Sequence, residues 1–397
     1  LFPQADNIQE FWQNIRHGVD SITEFPSSRQ EDVDDILEHI DYSRKTKYVA
    51  GGYLKEVDKF DYEFFSLSPK EASLLDPHQR IFLEKAIEAI EDAGYGGKKL
   101  AGSKTGVYFG YCYSKQVYQE MIESIAPSMM DIAFAGNTVS MLPSRLSYFL
   151  DLQGPTMIVD TACSSSLVAI HLACQGLLKA DCDLALAGGI YLKLLPLEQE
   201  AKLGIESPDA KTRTFDDSSE GTGGGEGVGI VLLKPVEKAL KDRDNIYAII
   251  KGSAINHDGR TVGITAPNAK AQESVIVEAW KKAGIDPSTI SYIEAHGTGT
   301  KIGDPTEILG LKRAFARYTG KKQFCAIGSV KSNIGHLTGA AGIAGIIKAV
   351  LMLKRKELPP TLHFAQPNRN IGFHKSPVYI NDILRKWQTG NEPRRCG

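Results

Sequence analysis

Short apolar runs alternate with longer amphipathic stretches along this chain. The runs at 105–110, 156–160, 184–192, 228–233, 290–295 and 325–330 are rich in Val, Ile, Leu and Ala. Their length and composition predict buried strands. Helical patterns lie between them. Asp76-Pro77 reads as an N-cap followed by Pro at the first helical position, and Ile81, Phe82, Ala86, Ala89, Ile90 and Ala93 then share one side before Gly94. A second helix begins after Ser166, with Leu167, Val168, Ile170, Leu172 and Ala173 as its apolar positions. Further helices are predicted at 271–283, stopped by Gly284, and at 339–354, stopped before Pro359-Pro360. Asp304-Pro305-Thr306-Glu307 has the form of a capping box opening another. The first sixty residues are polar and mixed, with a charged stretch at 31–47. Strands alternating with helices argue an α/β fold with helices packed on parallel or mixed sheets. A strand–loop–helix unit around Cys163 recurs around His336, as two related halves would give.

Composition narrows the function classes. The 397 residues, 42% of them hydrophobic, can bury a large core in two or three domains or in one duplicated unit. With 46 basic and 48 acidic side chains the net charge is −2, which gives no ground for a nucleic-acid surface or a polybasic membrane patch. A local basic patch for an acidic partner is compatible with that balance. The most apolar stretch, 339–353, carries Lys348 in its middle and is rich in Gly and Ala, so it reads as a buried helix and not as a membrane span. The opening LFPQADNIQEFW lacks a signal-peptide pattern. Six cysteines, at 112, 163, 174, 182, 325 and 396, include no CxxC pair and point to a reducing cytosol.

Three residues stand out chemically. Cys163 lies between a buried strand and a helix start, in Ala-Cys-Ser-Ser-Ser. A helix N-terminus favours the thiolate, and the same amides can hold an oxyanion. Buried structural thiols are the commoner fate of such cysteines, and Cys174, Cys182 and Cys325 are assigned to it. His296 and His336 each follow a predicted strand in a glycine-flanked loop, where α/β sheets place their ligands. His17, His39, His363 and His374 are assigned to the surface, and His78, His171 and His257 to structural roles. Metal binding finds no HExxH and no paired CxxC. The glycine-rich 221–227 fits neither nucleotide-binding pattern and reads as a close backbone approach before a strand. No GxSxG is present, which disfavours an α/β-hydrolase.

Val159-Asp-Thr-Ala-Cys163-Ser-Ser-Ser-Leu, Glu294-Ala-His296-Gly-Thr-Gly-Thr and Lys331-Ser-Asn-Ile-Gly-His336 resemble the signature blocks of β-ketoacyl synthases. With Asp61-Tyr-Glu-Phe-Phe65, Leu75-Asp-Pro-His-Gln-Arg80, Gly136-Asn137, Phe215-Asp216 and Gly303-Asp-Pro-Thr-Glu307, the chain resembles the ketosynthase domain of modular type I polyketide synthases over essentially its whole length. Gly252-Ser-Ala-Ile-Asn256-His-Asp-Gly and Gly263-Ile-Thr-Ala-Pro-Asn268 are similar to ketosynthases served by a separate acyltransferase.

The resemblance implies a thiolase-like fold, a duplicated five-layered α/β/α/β/α architecture that forms a homodimer. Its halves would be 1–235, with the nucleophilic cysteine, and 236–397, with both histidines. It implies decarboxylative Claisen condensation in the cytoplasm, with substrates carried on the phosphopantetheine of acyl carrier protein. Acyl carrier protein and the other synthase domains would be the partners, with no cofactor or metal bound by the domain itself. Cys163 would take the acyl chain, while His296 and His336 stabilise the enolate formed from malonyl. Lys331, five residues before His336, and Glu307, eleven after His296, match an active-site pair that would orient the histidines. For Glu307 the capping box is the plain alternative. Thr298 and Thr300 match hydroxyls that contact the phosphopantetheine arm, with turn chemistry as their alternative.

The family pattern starts about a strand before Leu1 and continues past Gly397 into a Gly-Phe-Gly-Gly-type loop that carries a second oxyanion amide. The isolated chain is therefore expected to be less stable and less active than a form extended at both ends. Three other readings compete. A non-elongating ketosynthase is disfavoured by the intact HGTGT around His296, a fatty-acid condensing enzyme by the LDPHQR and DTACSSS blocks, and a scaffold dimer by the presence of Cys163.

Overall fold

The computed structural model describes residues 1–39, 47–112, 117–197, 204–390 and 392–397, with the backbone alone for His39. The surface assignment of His39 and part of the charged stretch at 31–47 lie outside the described residues. In chain order the elements are α1 (Ile8–His17), α2 (Ser27–His39), α3 (Pro69–Leu74), α4 (Pro77–Asp92), β1 (Thr105–Tyr111), α5 (Val117–Ile125), α6 (Met130–Asn137), α7 (Met141–Leu150), β2 (Thr156–Val159), α8 (Ser165–Leu178), β3 (Leu184–Tyr191) and β4 (Gly227–Leu233). There follow α9 (Val236–Asp242), α10 (Ala269–Ala283), β5 (Tyr292–Glu294), α11 (Gly303–Ala316), β6 (Cys325–Gly328), α12 (Lys331–Ile334), α13 (Ala341–Arg355), β7 (Glu357–Leu358), β8 (Val378–Ile380) and β9 (Arg385–Lys386).

Two sheets organise the chain. The first has the order β2-β1-β3-β4, with β1 parallel to β2 and β3 and with β4 antiparallel to β3. The second is parallel, in the order β5-β6-β8. β7 and β9 form a small antiparallel pair. Helices α8 and α13 lie between the two sheets. Ala169, Ile170 and Ala173 of α8 join Ile343, Ala344 and Met352 of α13, Tyr108 and Ala185 of the first sheet, and Tyr292 and Ala326 of the second in one buried cluster. Ile81, Phe82, Ala86 and Ile90 of α4 and Leu142 and Leu146 of α7 cover the other face of the first sheet. Trp280 of α10 and Ile308, Leu311 and Phe315 of α11 cover the outer face of the second. The order of layers is therefore α/β/α/β/α. Small residues on α8 let it approach both β1 and β3, because Ala offers the least bulk between closely packed backbones.

β1 to β6 and helices α4, α8, α10, α11 and α13 stand where the sequence predicts elements, whereas β7 to β9 and the remaining helices, among them α1 and α2 of the polar opening, do not. In α1 only Phe11, Trp12 and Ile15 are buried, capped by Asn7 at the start and by Gly18 in the left-handed region at the end. With Ile8 these residues stand at i, i+3, i+4 and i+7, a helical spacing that was legible within the polar opening. Phe11, Trp12 and Ile15 each contribute about 1.5–3 kcal/mol in the central core. Among the described residues no helix is long and apolar enough to cross a membrane.

Candidate active site

Cys163 is delivered by a sharp turn between β2 and α8. Ala162 takes φ 52°, a left-handed conformation that a non-glycine residue adopts at some cost. The turn is tied together by Ala162 N donating to Asp160 Oδ1 (3.1 Å), Ser165 N to the Ala162 carbonyl (3.1 Å), and the Ser165 hydroxyl to the same carbonyl (2.6 Å). The thiol is half-buried at the helix N-terminus. The Ser166 hydroxyl accepts Ile343 N (3.1 Å), which fastens the start of α8 to the start of α13. The favour that a helix end shows a thiolate is opposed at Cys163. Burial pushes this thiol above its ordinary value, although the Lys331 charge and its backbone hydrogen bond pull it down. Desolvation of the charged form outweighs both.

His296 stands two residues past the end of β5. Its backbone N–H and that of Gly297 both donate to Glu307, to Oε1 at 2.7 Å and Oε2 at 2.9 Å, while Thr214 holds the Gly297 carbonyl (2.7 Å). The residue retains solvent access, with protein packed around the ring. Crowding, followed by the Lys331 charge, lowers its pKa, and solvent access moderates the size of that shift. His336 leaves α12 through Gly335. Its backbone pairs with the glycine-rich 221–227 segment, His336 N to Gly223 O (2.7 Å) and Gly225 N to His336 O (3.0 Å). Burial, then Lys331 and His296, hold it far below the usual imidazole value, so it is neutral. Thr338 N donates to His336 Nδ1 (2.9 Å), which places the imidazole proton on Nε2 as a free donor. The two rings meet edge to face, with centroids 5.5 Å apart and planes at 89°.

Lys331 is buried at the start of α12, 5% exposed, and its ammonium pKa is lowered by burial against the pull of Glu294, Glu307 and Cys163. Among the described residues no contact within 4 Å joins Lys331 to Glu307, so the expected ion pair is a longer-range coupling. The capping box is overturned as well. α11 begins at Gly303 with no side-chain cap. Asp304 instead accepts Phe215 N (2.6 Å) and Gly299 N (3.0 Å), and Glu307 reaches back to His296 and Gly297. Both carboxylates are spent on satisfying buried loop amides, which would otherwise be orphaned. The Thr298 and Thr300 hydroxyls lie 3.3 Å apart, and Thr300 also accepts Gly303 N (3.2 Å), so it serves the start of α11.

The remaining histidines and cysteines fall mostly as read. His17 and His374 are exposed, as is His257, which accepts Gly259 N. His78 is held by Asp76 and by Leu192 N, and His171 by Ser253. His363, expected at the surface, is half-buried 3.4 Å from Asp20. Its segment is turned inward by Thr361 N on Asn381 O and by Leu362 N on Ser332 Oγ. Cys182 and Cys325 are buried and Cys174 is partly so. Sequence reasoning missed two members of the site's foundation, Glu294 and Lys348, an ion pair 2.7 Å apart beneath the histidine loops. The charge of Lys348 inside an apolar helical run was the available signal.

Comparison with known proteins places this geometry. Residues 1–239 match the family model for the beta-ketoacyl synthase N-terminal domain, and residues 247–365 that for its C-terminal domain. The chain is 47% identical over 400 residues to polyketide synthase PksL of Bacillus subtilis and 44% over 399 residues to PksM of the same organism, with 98% of the chain covered in each case. It spans 9% of the length of each of these relatives. Among solved structures it is similar to the ketosynthase from module 6 of the bacillaene synthase from Bacillus subtilis 168, at 43% identity and a TM-score of 0.88, covering 100% of this chain and 67% of that one. Ketosynthase twelve from the bacillaene polyketide synthase of Bacillus amyloliquefaciens follows at 38% identity and a TM-score of 0.89, covering 100% and 68%. The five layers are the thiolase-like fold that these ketosynthases share.

Proposed function

The chain belongs to the β-ketoacyl synthase family, and from that membership we propose that it catalyses decarboxylative Claisen condensation in polyketide chain elongation. Cys163 attacks the thioester of an acyl chain on acyl carrier protein. The acyl group moves to sulfur, and the cysteine proton leaves with the carrier thiol. Malonyl on a carrier protein then loses carbon dioxide, and the electron pair of the broken bond becomes an enolate. The enolate carbon attacks the Cys163 thioester, and collapse of the tetrahedral intermediate gives the β-ketoacyl carrier and frees the cysteine. His336 Nε2–H and His296 donate to the thioester oxygen on which the enolate charge appears. Neutral imidazoles suit that task, because each keeps a proton to donate without needing a counter-ion. Glu307 holds the His296–Gly297 backbone in place. Lys331 supplies the positive field around thiol and imidazoles. Thr298 and Thr300 bind the phosphopantetheine arm.

The observation that carries this reading is the pairing of two perpendicular imidazoles, 5.5 Å apart, with a cysteine at a helix start, all under the field of one buried lysine. Residues 1–235 form the half with the nucleophile and 236–397 the half with the histidines. Two such domains associate through β2, whose outer edge is unpaired among the described residues and whose Met157 is exposed. Exposed Tyr148, Ile132 and Phe134 on the neighbouring α7 and α6 add apolar area to that side. Other synthase domains and a separate acyltransferase complete the set of partners, a choice supported by the 252–259 and 263–268 segments. The cytoplasm is the compartment that fits six free thiols.

Intact-protein mass spectrometry after mixing with an acyl thioester tests the first half-reaction. One adduct in the wild type that is absent in Cys163→Ala is expected. An adduct that persists in the variant refutes the assignment. Light scattering during gel filtration tests association, and a monomer at micromolar concentration refutes the β2 interface.

A further inference from the structure

Lys348 is a fully buried charge that the chemistry described above does not use. It sits in the middle of α13 with 0% exposure. An isolated ammonium there would be prohibitive, so its partner defines its role. That partner is Glu294, the last residue of β5 and two residues before His296. The Lys348 Nζ to Glu294 Oε2 separation is 2.7 Å, oriented as an ion pair and not as a directed hydrogen bond. Glu294 Oε2 also accepts the Tyr292 hydroxyl (2.6 Å), and its Oε1 accepts Val330 N (2.6 Å). Val330 immediately precedes Lys331. One carboxylate thus joins the strand end that carries His296 to the turn that carries Lys331 and, five residues on, His336. Gly328 makes room for the cluster. A Cβ there would stand 3.0 Å from the Tyr292 hydroxyl oxygen and 2.4 Å from Thr361 Oγ1.

The charges acting on Lys331 are Glu294, Glu307, Cys163 and Lys348. Two buried ammonium groups therefore balance two carboxylates beneath the imidazoles. Removing Lys348 would leave Glu294 with a buried charge and one accessible counter-ion, Lys331. The Lys331 side chain would then be drawn down toward β5 and away from Cys163 and the histidines.

Resting on the reading of this chain as a condensing enzyme, we propose that Lys348 is a positioning residue, which neutralises Glu294 and so leaves Lys331 to act on Cys163, His296 and His336. It touches no substrate. It works through the carboxylate that anchors the Lys331 turn and through the charge balance beneath the site.

The test uses the full-length protein with Lys348→Met, Glu294→Gln and the double variant. Three quantities are followed together: Cys163 acylation by intact mass, carbon dioxide release from malonyl carrier protein, and the pH profile of Cys163 alkylation by iodoacetamide. The thiol has Lys331, Cys112 and Tyr191 as its electrostatic neighbours, so its profile reports where the Lys331 charge lies. In Lys348→Met, carbon dioxide release is expected to fall about ten- to a hundredfold, the size of effect that a displaced catalytic group produces. The alkylation profile is expected to move to higher pH as the positive charge withdraws from sulfur. The double variant, in which the charges balance again, is expected to regain much of the rate and to return the profile toward that of the wild type. A folded Lys348→Met with unchanged release and an unmoved profile overturns the proposal. So does a double variant that is no better than the single one, and this comparison decides the matter even if Lys348→Met alone fails to fold. A wild type that takes no acyl group on Cys163 overturns the condensing reading itself, and this proposal with it.

Discussion

Cys163 is caught between opposing influences, burial raising its pKa and Lys331 lowering it. Because the folded thiol lies above its ordinary value, the thiolate fraction at neutral pH is small and grows as pH rises. Alkylation of the free enzyme by iodoacetamide should therefore keep accelerating above the usual thiol range. Lys331→Met removes the main charge that favours the thiolate, so its profile should shift further toward high pH. At pH 8 the rate falls about tenfold for each unit of that shift. Superimposable profiles for wild type and variant would show that Lys331 does not act on sulfur. His336 gives a separate residue-level test. Its Nδ1 is occupied by Thr338 N, so Nε2–H is the available donor. His336→Ala should leave Cys163 acylation intact and slow condensation about 10²–10³-fold, the usual consequence of losing one oxyanion donor. Loss of acylation instead would make the imidazole a base for the thiol.

At the level of elements, the site depends on close backbone approach and on carboxylates that reach across loops. β1 passes directly beneath the start of α8. A Cβ on Gly110 would lie 2.5 Å from Ser166 N and 2.7 Å from the Ser165 carbonyl carbon, both backbone atoms that cannot swing aside. Gly110→Ala should therefore lift the helix start that carries Cys163, destabilise the fold by about 1–3 kcal/mol, and cut acylation of whatever folds. Unchanged melting and acylation would mean that the helix start yields freely. Glu307→Gln probes the other loop. Glu307 accepts two backbone N–H groups, and an amide can accept only one of them while turning a donor toward the other. The expected cost is about 1–3 kcal/mol, with condensation slowed more than acylation, because His296 is the residue released. These contacts also explain why the local sequence misleads here. Asp304 and Glu307 have capping-box spacing, but their partners include Phe215, distant in sequence, and the His296 loop. Spacing along a chain says nothing about such contacts. The turn at Cys163 was legible because strand, small residues and helix are contiguous.

Across the whole molecule, alternation of apolar runs and amphipathic stretches revealed the α/β class, and the three motif blocks pointed to the layered duplication. What stayed hidden was how the polar opening is recruited. Arg29 of α2 is buried and meets Glu226 with both nitrogens, Nη1 to Oε2 at 2.7 Å and Nη2 to Oε1 at 2.9 Å. Glu226 is 0% exposed and also accepts Leu54 N (2.9 Å) and Lys193 N (2.7 Å). No periodicity marks such a pair, since its members are 197 residues apart. Its location matters because Glu226 directly follows Gly225, which with Gly223 holds the His336 backbone. The clamp thus links an N-terminal helix to the loop that carries His336. Arg29→Met would strand a buried carboxylate that still holds two amides, at a cost of about 3–5 kcal/mol. The denaturant midpoint should fall accordingly. In the fraction that remains folded, condensation should suffer before Cys163 acylation, because the loop under His336 loosens while the α8 turn is untouched. Equal loss of both half-reactions would mean that the clamp supports the fold as a whole and has no particular hold on the histidine.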